Sequence, residues 1–182
     1  TVHDQKEASA LHEGLARARE IGVEAKLGQA AYEGIALADL VVTSPGVPDA
    51  CAGIVAAREH GIPILPEIEL AYRISPAPII AVTGTNGKTT TTALIGEILR
   101  SNGRNVFVAG NIVAGSIRLP LVQAAFRASA SDVIVAEISS FQLELITSFR
   151  PTVGALLNVT ADHMDRYPNL EAYASAKARL FE

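Results

Sequence analysis

A glycine-rich stretch at residues 83–91, Thr-Gly-Thr-Asn-Gly-Lys-Thr-Thr-Thr, constrains the fold of this chain more than any other feature. It follows the apolar run 78–82 and precedes the segment 93–99, whose apolar residues have a helical spacing. A strand, a glycine-rich turn and a helix in this order are typical of a phosphate-binding loop. The glycines let backbone N–H groups surround an anion, and the helix N-terminus adds partial positive charge. The sequence therefore predicts a nucleoside triphosphate site.

Two side chains of this stretch have predicted tasks of their own. Lys88 adds a full positive charge, and Thr89 offers a hydroxyl oxygen to a phosphate-bound Mg²⁺. The general spacing would place a glycine at Val82, so this loop is a shortened form. An ordinary glycine turn with a surface lysine is the alternative interpretation. The predicted cofactor-binding residues are Gly84, Thr85, Asn86, Gly87, Lys88, Thr89 and Thr90.

Composition excludes several classes of protein. With 49% hydrophobic and 19% charged residues, the chain is globular, and 182 residues are enough for one large or two small domains. A net charge of −4 argues against a surface that coats nucleic acid. The single cysteine, Cys51, excludes an internal disulfide and a cysteine-based zinc site. Without a long apolar run or a signal pattern, we expect a cytoplasmic protein.

Short apolar runs alternate with helical patterns, which predicts an α/β fold with parallel sheets. Strands are predicted at 38–43, 62–65, 79–83, 106–109, 133–136 and 153–157. Helices are predicted at 7–21, 49–60, 67–73, 88–102, 119–128 and 170–181.

The Ser-Pro-Ala-Pro segment at 75–78 is predicted to be an interdomain linker. The sequence thus predicts a Rossmann-like, substrate-binding domain at 1–75 and a P-loop ATPase-type domain at 76–182. We expect both to be truncated. Residues 1–4 resemble the end of a strand without the glycine-rich turn of a Rossmann unit, and the last helix reaches the terminus without a cap signal. Asp4 stands where such a unit often places its sugar-binding carboxylate.

Polar residues follow two further predicted strands of the second domain. Glu137 comes directly after the strand 133–136, where a carboxylate of a phosphate-loop protein often holds Mg²⁺. A helix N-cap beside Ser139 and Ser140 is the alternative. His163 follows the strand 153–157 and is a candidate for binding metal or orienting phosphate, with a structural histidine as the alternative.

Other candidate residues are less specific by themselves. Lys177, within the last predicted helix, would alone be interpreted as a solvated lysine. The turn 44–48, Ser-Pro-Gly-Val-Pro, is a candidate ligand edge, although turn chemistry alone explains its proline and glycine residues.

Taken together, these motifs resemble the Mur ligases, which are ATP-dependent amide-forming enzymes of bacterial cell-wall synthesis. The shortened loop is similar to theirs. Glu-Ile-Ser-Ser-Phe-Gln-Leu-Glu at 137–144 and Asp-His-Met-Asp-Arg-Tyr at 162–167 resemble the members that add D-glutamate to UDP-N-acetylmuramoyl-L-alanine (UDP-MurNAc-L-alanine). Residues 39–48 and 67–71 fit these members as well. The alternatives are a ligase for another amino acid, a folylpolyglutamate synthase-type ligase, or a non-catalytic nucleotide-binding module.

The resemblance implies a reaction and its participants. ATP, with Mg²⁺, phosphorylates the substrate carboxylate to an acyl phosphate, which the amine of D-glutamate then attacks. Family members are usually monomeric and act on small molecules, without nucleic acid or membrane insertion. The implied catalytic residues are Lys88, His163 and Lys177; the implied metal-site residues are Thr89, Glu137, His163 and Lys177; and the implied substrate-binding residues are Asp4, Ser44, Pro45, Gly46, Asn111, Ser139 and Gln142.

In the family, the lysine that matches Lys177 is carbamylated, which converts a cation into an anionic oxygen ligand. Because carbamylation needs a neutral amine, we expect a lowered pKa for Lys177. The chain departs from the family at 113–118, which resembles an insertion beside Asn111. Because the expected truncations remove most adenine and D-glutamate contacts, we expect that the chain does not ligate on its own.

Overall fold

A computed structural model describes residues 1–112 and 119–182, apart from the side chain of Glu13. The predicted insertion at 113–118 lies outside the described residues. The chain forms two compact units: Thr1–Val41 with Val47–Ile64, and Val42–Gly46 with Leu65–Glu182. Within the described ranges, no helix is both long enough and apolar enough to cross a membrane.

The first unit contains short elements around a small core. Strand β1 (Val2–Asp4) pairs in parallel with β2 (Ala25–Leu27), and helix α1 (His12–Glu20) connects them. Helix α2 (Ala52–Glu59) follows later in the chain. Short 3₁₀ helices lie at Ala8–Ala10, Gly28–Ala30 and Ile35–Leu37, and the buried apolar residues are Ala31, Ile35, Ile54 and Ala57.

The second unit is built on a four-stranded parallel sheet with strand order β6-β7-β5-β8. Its strands are β5 (Ile79–Thr83), β6 (Val106–Gly110), β7 (Val133–Glu137) and β8 (Val153–Leu156). Its helices are α3 (Glu67–Ile74), α4 (Lys88–Ser101), α5 (Leu121–Arg127), α6 (Ser140–Leu143) and α7 (Leu170–Ala178), and a 3₁₀ turn (Arg179–Phe181) follows α7. The two remaining strands, β3 (Val41–Thr43) and β4 (Ile64–Pro66), pair with each other where the chain passes between units. The predicted α/β class with parallel sheets is confirmed.

The register of the sheet brings the ends of four strands to one edge. Val82 is opposite Glu137, Gly110 is also opposite Glu137, and Thr83 is opposite Leu156. All five residues of β7 are buried, as expected for a strand covered on both faces. Polar residues that follow these strands therefore emerge together at the carboxyl edge of the sheet, where α/β proteins bind ligands.

Helix α3 belongs to the second unit, although the sequence places it within the predicted domain 1–75. Its buried residues Ile68 and Ala71 share one apolar core with Leu121 and Ala124 of α5. The carboxylate of Glu67 also accepts a hydrogen bond from the N–H of Val122, in the first turn of α5. The physical boundary thus lies before α3, at residues 64–65, because the apolar face of α3 packs on α5. The assignment of substrates to domains stays a prediction.

A buried carboxylate anchors the chain ahead of β8. Glu69 accepts hydrogen bonds from the backbone N–H groups of Thr147, Ser148 and Phe149, and from Arg73. Burial acts to raise the pKa of Glu69, but the hydrogen bonds from Ser148, Thr147 and Arg73 outweigh it and lower the pKa to about 2. The segment that leads into β8, and from there to the site, is therefore fixed to α3.

Several predicted elements differ from those observed. The predicted helix 7–21 is divided at Leu11 into a 3₁₀ turn and α1. The predicted helix 119–128 begins only at Leu121, since Pro120 is its N-cap residue in an extended conformation. Strand β2 and helix α6 were not predicted, because with three and four residues they are too short to show a periodic pattern.

Candidate functional site

The phosphate loop, defined here as residues 84–87, connects β5 to α4 at the carboxyl edge of the sheet. Gly87 is the N-cap residue of α4 and has a φ of 82°, a left-handed conformation that favours glycine. The side chain of Asn158 accepts from the N–H of Asn86 (2.9 Å) and donates to its carbonyl (3.0 Å). The hydroxyl of Thr85 accepts from the N–H of Thr160 at 3.0 Å. The chain after β8 therefore holds the loop in place.

Two lysines converge on the carbonyl groups of this loop. The ammonium group of Lys88 donates to the carbonyl of Thr85 at 2.8 Å. The amine of Lys177 donates to the carbonyl of Gly84 at 3.0 Å, across 93 residues of sequence. Thr89, the next residue of α4, is half-buried, and Thr90 is exposed. The loop thus has two amines at its carbonyl groups, which concentrates positive charge where phosphate is predicted to bind.

Lys177 is buried, with only 1% of its surface exposed, so its interpretation as a solvated helix lysine is wrong. Its amine lies 4.5 Å from the centre of the Tyr173 ring. Burial, followed by the charge of Lys88, lowers the pKa of Lys177 to about 8, while Asp162 acts in the opposite direction. The direction of this shift agrees with the expectation from the resemblance. At neutral pH a fraction of Lys177 is therefore a neutral, nucleophilic amine.

Glu137 ends β7 beside the start of α4. Its carboxylate accepts a hydrogen bond from the hydroxyl of Thr89 at 2.6 Å, and the amide of Asn111 lies 3.5 Å from its other oxygen. The carbonyl of Glu137 accepts from the N–H of Asn111 at 2.8 Å. A side chain at Gly110 could not fit here, because its Cβ would lie 2.2 Å from that carbonyl oxygen. Glu137 and Thr89 thus present two oxygen ligands side by side, of the kind that Mg²⁺ prefers.

The N-cap of α6 is Ser139, so the interpretation of Glu137 as a helix cap is not supported. The hydroxyl of Ser139 accepts from the N–H of Gln142, and the side-chain oxygen of Gln142 accepts from the N–H of Ser139 at 2.9 Å. These reciprocal bonds form a capping box. The Gln142 side chain is buried and holds Ser139 in place. A direct contact between Gln142 and substrate stays a prediction.

His163 has a distinctive backbone and ring environment. Its φ of 54° is the only positive value at a non-glycine residue within the described ranges. Its imidazole lies 4.8 Å from the ring of Phe141 and 6.0 Å from the ring of Tyr173, measured between ring centres. The Nε2 atom is 3.6 Å from a carboxylate oxygen of Asp162. The imidazole is thus oriented by two aromatic rings.

These groups meet at one cavity of about 180 Å³. Its lining includes the predicted site residues Lys88, Lys177, His163 and Asn111. Glu137 lies next to the cavity, because its carboxylate contacts the amide of the lining residue Asn111. The same carboxylate is hydrogen-bonded to Thr89. The remaining lining residues are Pro45, Gly46, Ser139, Ser140, Phe141 and Tyr173.

The cavity is lined by two lysines, and the oxygen pair of Glu137 and Thr89 is close to the lining residue Asn111. Within residues 1–112 and 119–182, no group of three or more His, Cys, Asp or Glu side chains is arranged to hold a metal ion. The oxygen pair of Glu137 and Thr89 is smaller than such a group. This fits Mg²⁺, which binds proteins through one or two carboxylates and completes its shell with phosphate oxygens and water.

The part of the chain that contains this site matches a known protein family. The model of the Mur ligase middle domain matches residues 82–182, which is more than half of the chain. The chain belongs to the Mur ligase family. The matched range contains the phosphate loop and the cavity residues from Lys88 to Lys177.

Two curated relatives resemble this Mur ligase chain over its whole length. Both are named UDP-N-acetylmuramoylalanine–D-glutamate ligase. The one from Caldanaerobacter subterraneus subsp. tengcongensis is 49% identical over 181 residues, and the one from Desulfatibacillum aliphaticivorans is 50% identical over 181 residues. The alignments cover 100% of this chain but 39% of each relative.

A solved structure supports the same fold. It is the crystal structure of the UDP-N-acetylmuramate–alanine ligase from Thermotoga maritima, with a TM-score of 0.55 and 26% identity. The superposition covers 92% of this chain and 38% of that chain.

The structure does not bring all predicted site residues of this Mur ligase chain to the cavity. Asp4 lies in the first unit, at the carboxyl end of β1, where its side chain accepts from the N–H of Lys6 at 2.8 Å. Ser44 is exposed in the turn that precedes Pro45 and Gly46. Their roles in substrate binding stay predictions.

Three cavity residues were not predicted from the sequence as site residues: Ser140, Phe141 and Tyr173. The first two lie inside the motif 137–144, so their neighbourhood was recognisable although their contact with the cavity was not. Tyr173 is four residues before Lys177, which places both on the same face of α7. That spacing was the available signal.

Proposed function

We propose that this chain is the phosphate-binding and carboxylate-activating part of an ATP-dependent ligase that joins D-glutamate to UDP-MurNAc-L-alanine in peptidoglycan precursor synthesis. The observation that carries the proposal is the convergence of Lys88, His163 and Lys177 on one cavity beside the Glu137–Thr89 pair. The names of the relatives at 49% and 50% identity support D-glutamate as the added amino acid. The alanine-adding ligase of known structure is only 26% identical.

The phosphate loop would receive the β- and γ-phosphates of ATP. Its backbone N–H groups and the N-terminus of α4 supply fixed partial charges. The ammonium group of Lys88 has three donors, so it can keep its bond to Thr85 and still donate to a phosphate oxygen. Lys88 would therefore stabilise the charge on the phosphoryl group as it is transferred.

Thr89 and Glu137 would hold Mg²⁺ together with phosphate oxygens. When bound, the ion supplies positive charge that neutralises the transferring phosphoryl group. The hydrogen bond between Thr89 and Glu137 already fixes both oxygens close to the start of α4. Asn111 would keep the Glu137 carboxylate oriented, because its amide approaches the second oxygen.

Lys177 would serve as a carbamate. Its neutral amine would add to CO₂, forming an N–C bond and releasing one proton, and the product would carry a negative charge. The lowered pKa of Lys177, about 8, supports this step, because the reacting form is the unprotonated amine. An anionic group at this position would provide further oxygen ligands on the cavity wall next to His163.

The cavity would contribute groups to both steps of the reaction in the whole enzyme. A carboxylate oxygen of UDP-MurNAc-L-alanine would attack the γ-phosphorus of ATP, and the bond from that phosphorus to the bridging oxygen would break to release ADP. The amine of D-glutamate would attack the acyl carbon, lose a proton, and expel phosphate with the electrons of the C–O bond. Asn111 and Ser139 at the cavity wall would orient the muramoyl-alanine carboxylate. Both substrates are cytoplasmic metabolites in this scheme, and the cytoplasm is the location we propose.

Binding of Mg·ATP to the chain tests the first half of the proposal. We expect Lys88→Ala to weaken binding about a hundredfold, because a cation aimed at the phosphates is lost. Isothermal titration calorimetry measures the affinity, and Lys6→Ala, at an exposed lysine of the first unit, controls for the loss of one charge. Equal affinity of native and Lys88→Ala chains would refute the proposed phosphate site.

The choice of acceptor substrate is tested by thermal shift. We expect UDP-MurNAc-L-alanine to raise the melting temperature of the chain and dihydrofolate to leave it unchanged. Stabilisation by dihydrofolate alone would favour a folylpolyglutamate synthase-type ligase instead.

A further inference from the structure

The ring of Phe141 contacts two groups of the turn 163–167. The imidazole of His163 lies 4.8 Å from it between ring centres. The guanidinium of Arg166 lies over the ring, with its central carbon 4.6 Å from the ring centre. The ring of Tyr167 also stacks near Phe141, at 6.1 Å and an interplanar angle of 20°. At the cavity wall, Phe141 and His163 thus belong to a cluster of planar groups in mutual contact.

The backbone of His163 needs this support. Its left-handed conformation is strained in a non-glycine residue, so contacts elsewhere must stabilise it. The carbonyl of His163 accepts from the N–H groups of Arg166 and Tyr167, both at 3.0 Å. Whatever fixes Arg166 and Tyr167 therefore also fixes His163.

Glu144, directly after α6, binds both of these residues. Its carboxylate accepts from Nε of Arg166 at 3.0 Å and from Nη2 at 2.5 Å, which is a bidentate ion pair. The same carboxylate accepts from the hydroxyl of Tyr167. Burial, and then the hydrogen bond to Glu144, raise the pKa of Tyr167, so the phenol keeps the proton that it donates.

The backbone at Glu144 is held by Arg179, the first residue after α7. Arg179 donates to the carbonyl of Glu144 and, at 2.6 Å, to the carbonyl of Ile146. About three quarters of the Glu144 and Arg166 side-chain surfaces are removed from solvent, with 24% and 28% exposed. A bidentate pair this shielded is screened less than a surface pair and holds a defined geometry.

We propose that Glu144 is a positioning residue of the site: by holding Arg166 and Tyr167, it fixes the Phe141 ring and the His163 imidazole at the wall of the cavity. This inference rests on the proposed function, because the orientation of His163 matters for activity only if the cavity binds Mg·ATP. Glu144 acts through its neighbours, in the way that outer residues orient metal and phosphate ligands.

The test uses Glu144→Gln, which keeps the size of the side chain but removes its charge and one acceptor. The matched control is Glu97→Gln, which neutralises the exposed partner of Arg100 on α4. The first measurement is the ¹H–¹³C NMR signal of the His163 imidazole. The chain has four histidines, and a His163→Gln variant assigns the signal. The second measurement is the affinity for Mg·ATP.

We expect Glu144→Gln to shift the His163 ring signal, because its geometry relative to the Phe141 ring changes. We also expect the affinity for Mg·ATP to fall about tenfold, the lower range for loss of an orienting partner. Glu97→Gln should change neither quantity. A Glu144→Gln chain that unfolds more easily, yet keeps the His163 signal and the affinity, would show a purely structural role and overturn the inference.

A second variant covers the case in which Glu144→Gln does not fold. Arg166→Lys keeps the positive charge but replaces the planar fork with a single ammonium group, and we expect the same displacement of the His163 signal. An unchanged signal in this variant would overturn the inference. If the native chain does not bind Mg·ATP at all, the proposed function fails, while the His163 signal still decides whether Glu144 positions the imidazole.

Discussion

The segment 158–177 lines the cavity, and the phosphate loop contacts two cavity residues, Lys88 and Lys177, but the conformations of the loop and the segment have different origins. The left-handed turn of the loop comes from its own residue Gly87, from which α4 starts, and Asn158 then ties the loop to the chain after β8. The segment 158–177 depends on distant partners: Asn158 binds Asn86, and Lys177 reaches the carbonyl of Gly84. One side of the site is therefore a local motif, while the other exists only when the sheet is assembled.

This difference explains the chemistry of the two lysines. Lys88 is half-buried at a helix start that favours anions, and its role follows from the loop. Lys177 sits on a helix of ordinary composition and gains its lowered pKa from burial beside Lys88. The same residue type thus serves as a phosphate-binding cation in one region and as a readily deprotonated amine in the other.

The largest effect is expected from Lys177→Met in CO₂-free buffer. The pKa of Lys177 is about 8 in the folded chain and near 10.5 when unfolded. Between these values the unfolded state binds more protons, so the stability contributed at this site rises with pH and is lost as pH falls through about 8. We expect the native chain to gain about 3 kcal/mol relative to Lys177→Met between pH 8 and 10.5, measured by urea unfolding.

Lys6→Met is the control for removal of one positive charge. A native chain whose stability follows that of Lys177→Met across this pH range would show that Lys177 is not perturbed by burial. Adding ¹³C-bicarbonate then tests the carbamate directly, through a new carbonyl signal that Lys177→Met must lack.

A smaller effect is expected from Asn158→Ala, which removes the link between the two regions. Asn158 makes two hydrogen bonds to the backbone of Asn86, and their loss should release the loop locally. We expect amide exchange at Asn86 to become about tenfold faster, equivalent to about 1.4 kcal/mol. Hydrogen exchange followed by NMR measures this rate.

Asn102→Ala serves as the control, because it removes a hydrogen bond from the Asn102 amide to the carbonyl of Ile98 at the end of α4. If exchange at Asn86 were equally slow in native and Asn158→Ala chains, the loop would be self-supporting, and its contrast with the segment 158–177 would be sharper.

The smallest effect is expected from Gly87→Ala. A methyl group there would meet Leu157 at 3.6 Å, an ordinary contact, so the cost comes from the positive φ alone. We expect a loss of about 1 kcal/mol in the free energy of unfolding. Gly14→Ala, at an open helical position of α1, should have the opposite sign. Unchanged stability in Gly87→Ala would mean that the loop conformation is imposed from outside.

Much of the second unit was predictable from the sequence because its elements are long and strongly patterned. The strand 79–83 was predicted at its observed bounds, and the helix 88–102 ends one residue earlier, at Ser101. Elements of three or four residues escaped prediction, since no period can be read from them. The position of α3 also escaped, because which partner an apolar face packs on is a tertiary question.

The sequence by itself determined the α/β class, the phosphate loop and the resemblance to Mur ligases, because each depends on residues close together in the chain. The tertiary structure alone decided that Lys177 is buried beside Lys88, that Glu137 binds Thr89, and that Glu144 holds the turn of His163. Burial and long-range contact set the pKa of an amine and the orientation of a ring. Those quantities arise only where distant segments meet at the edge of the sheet.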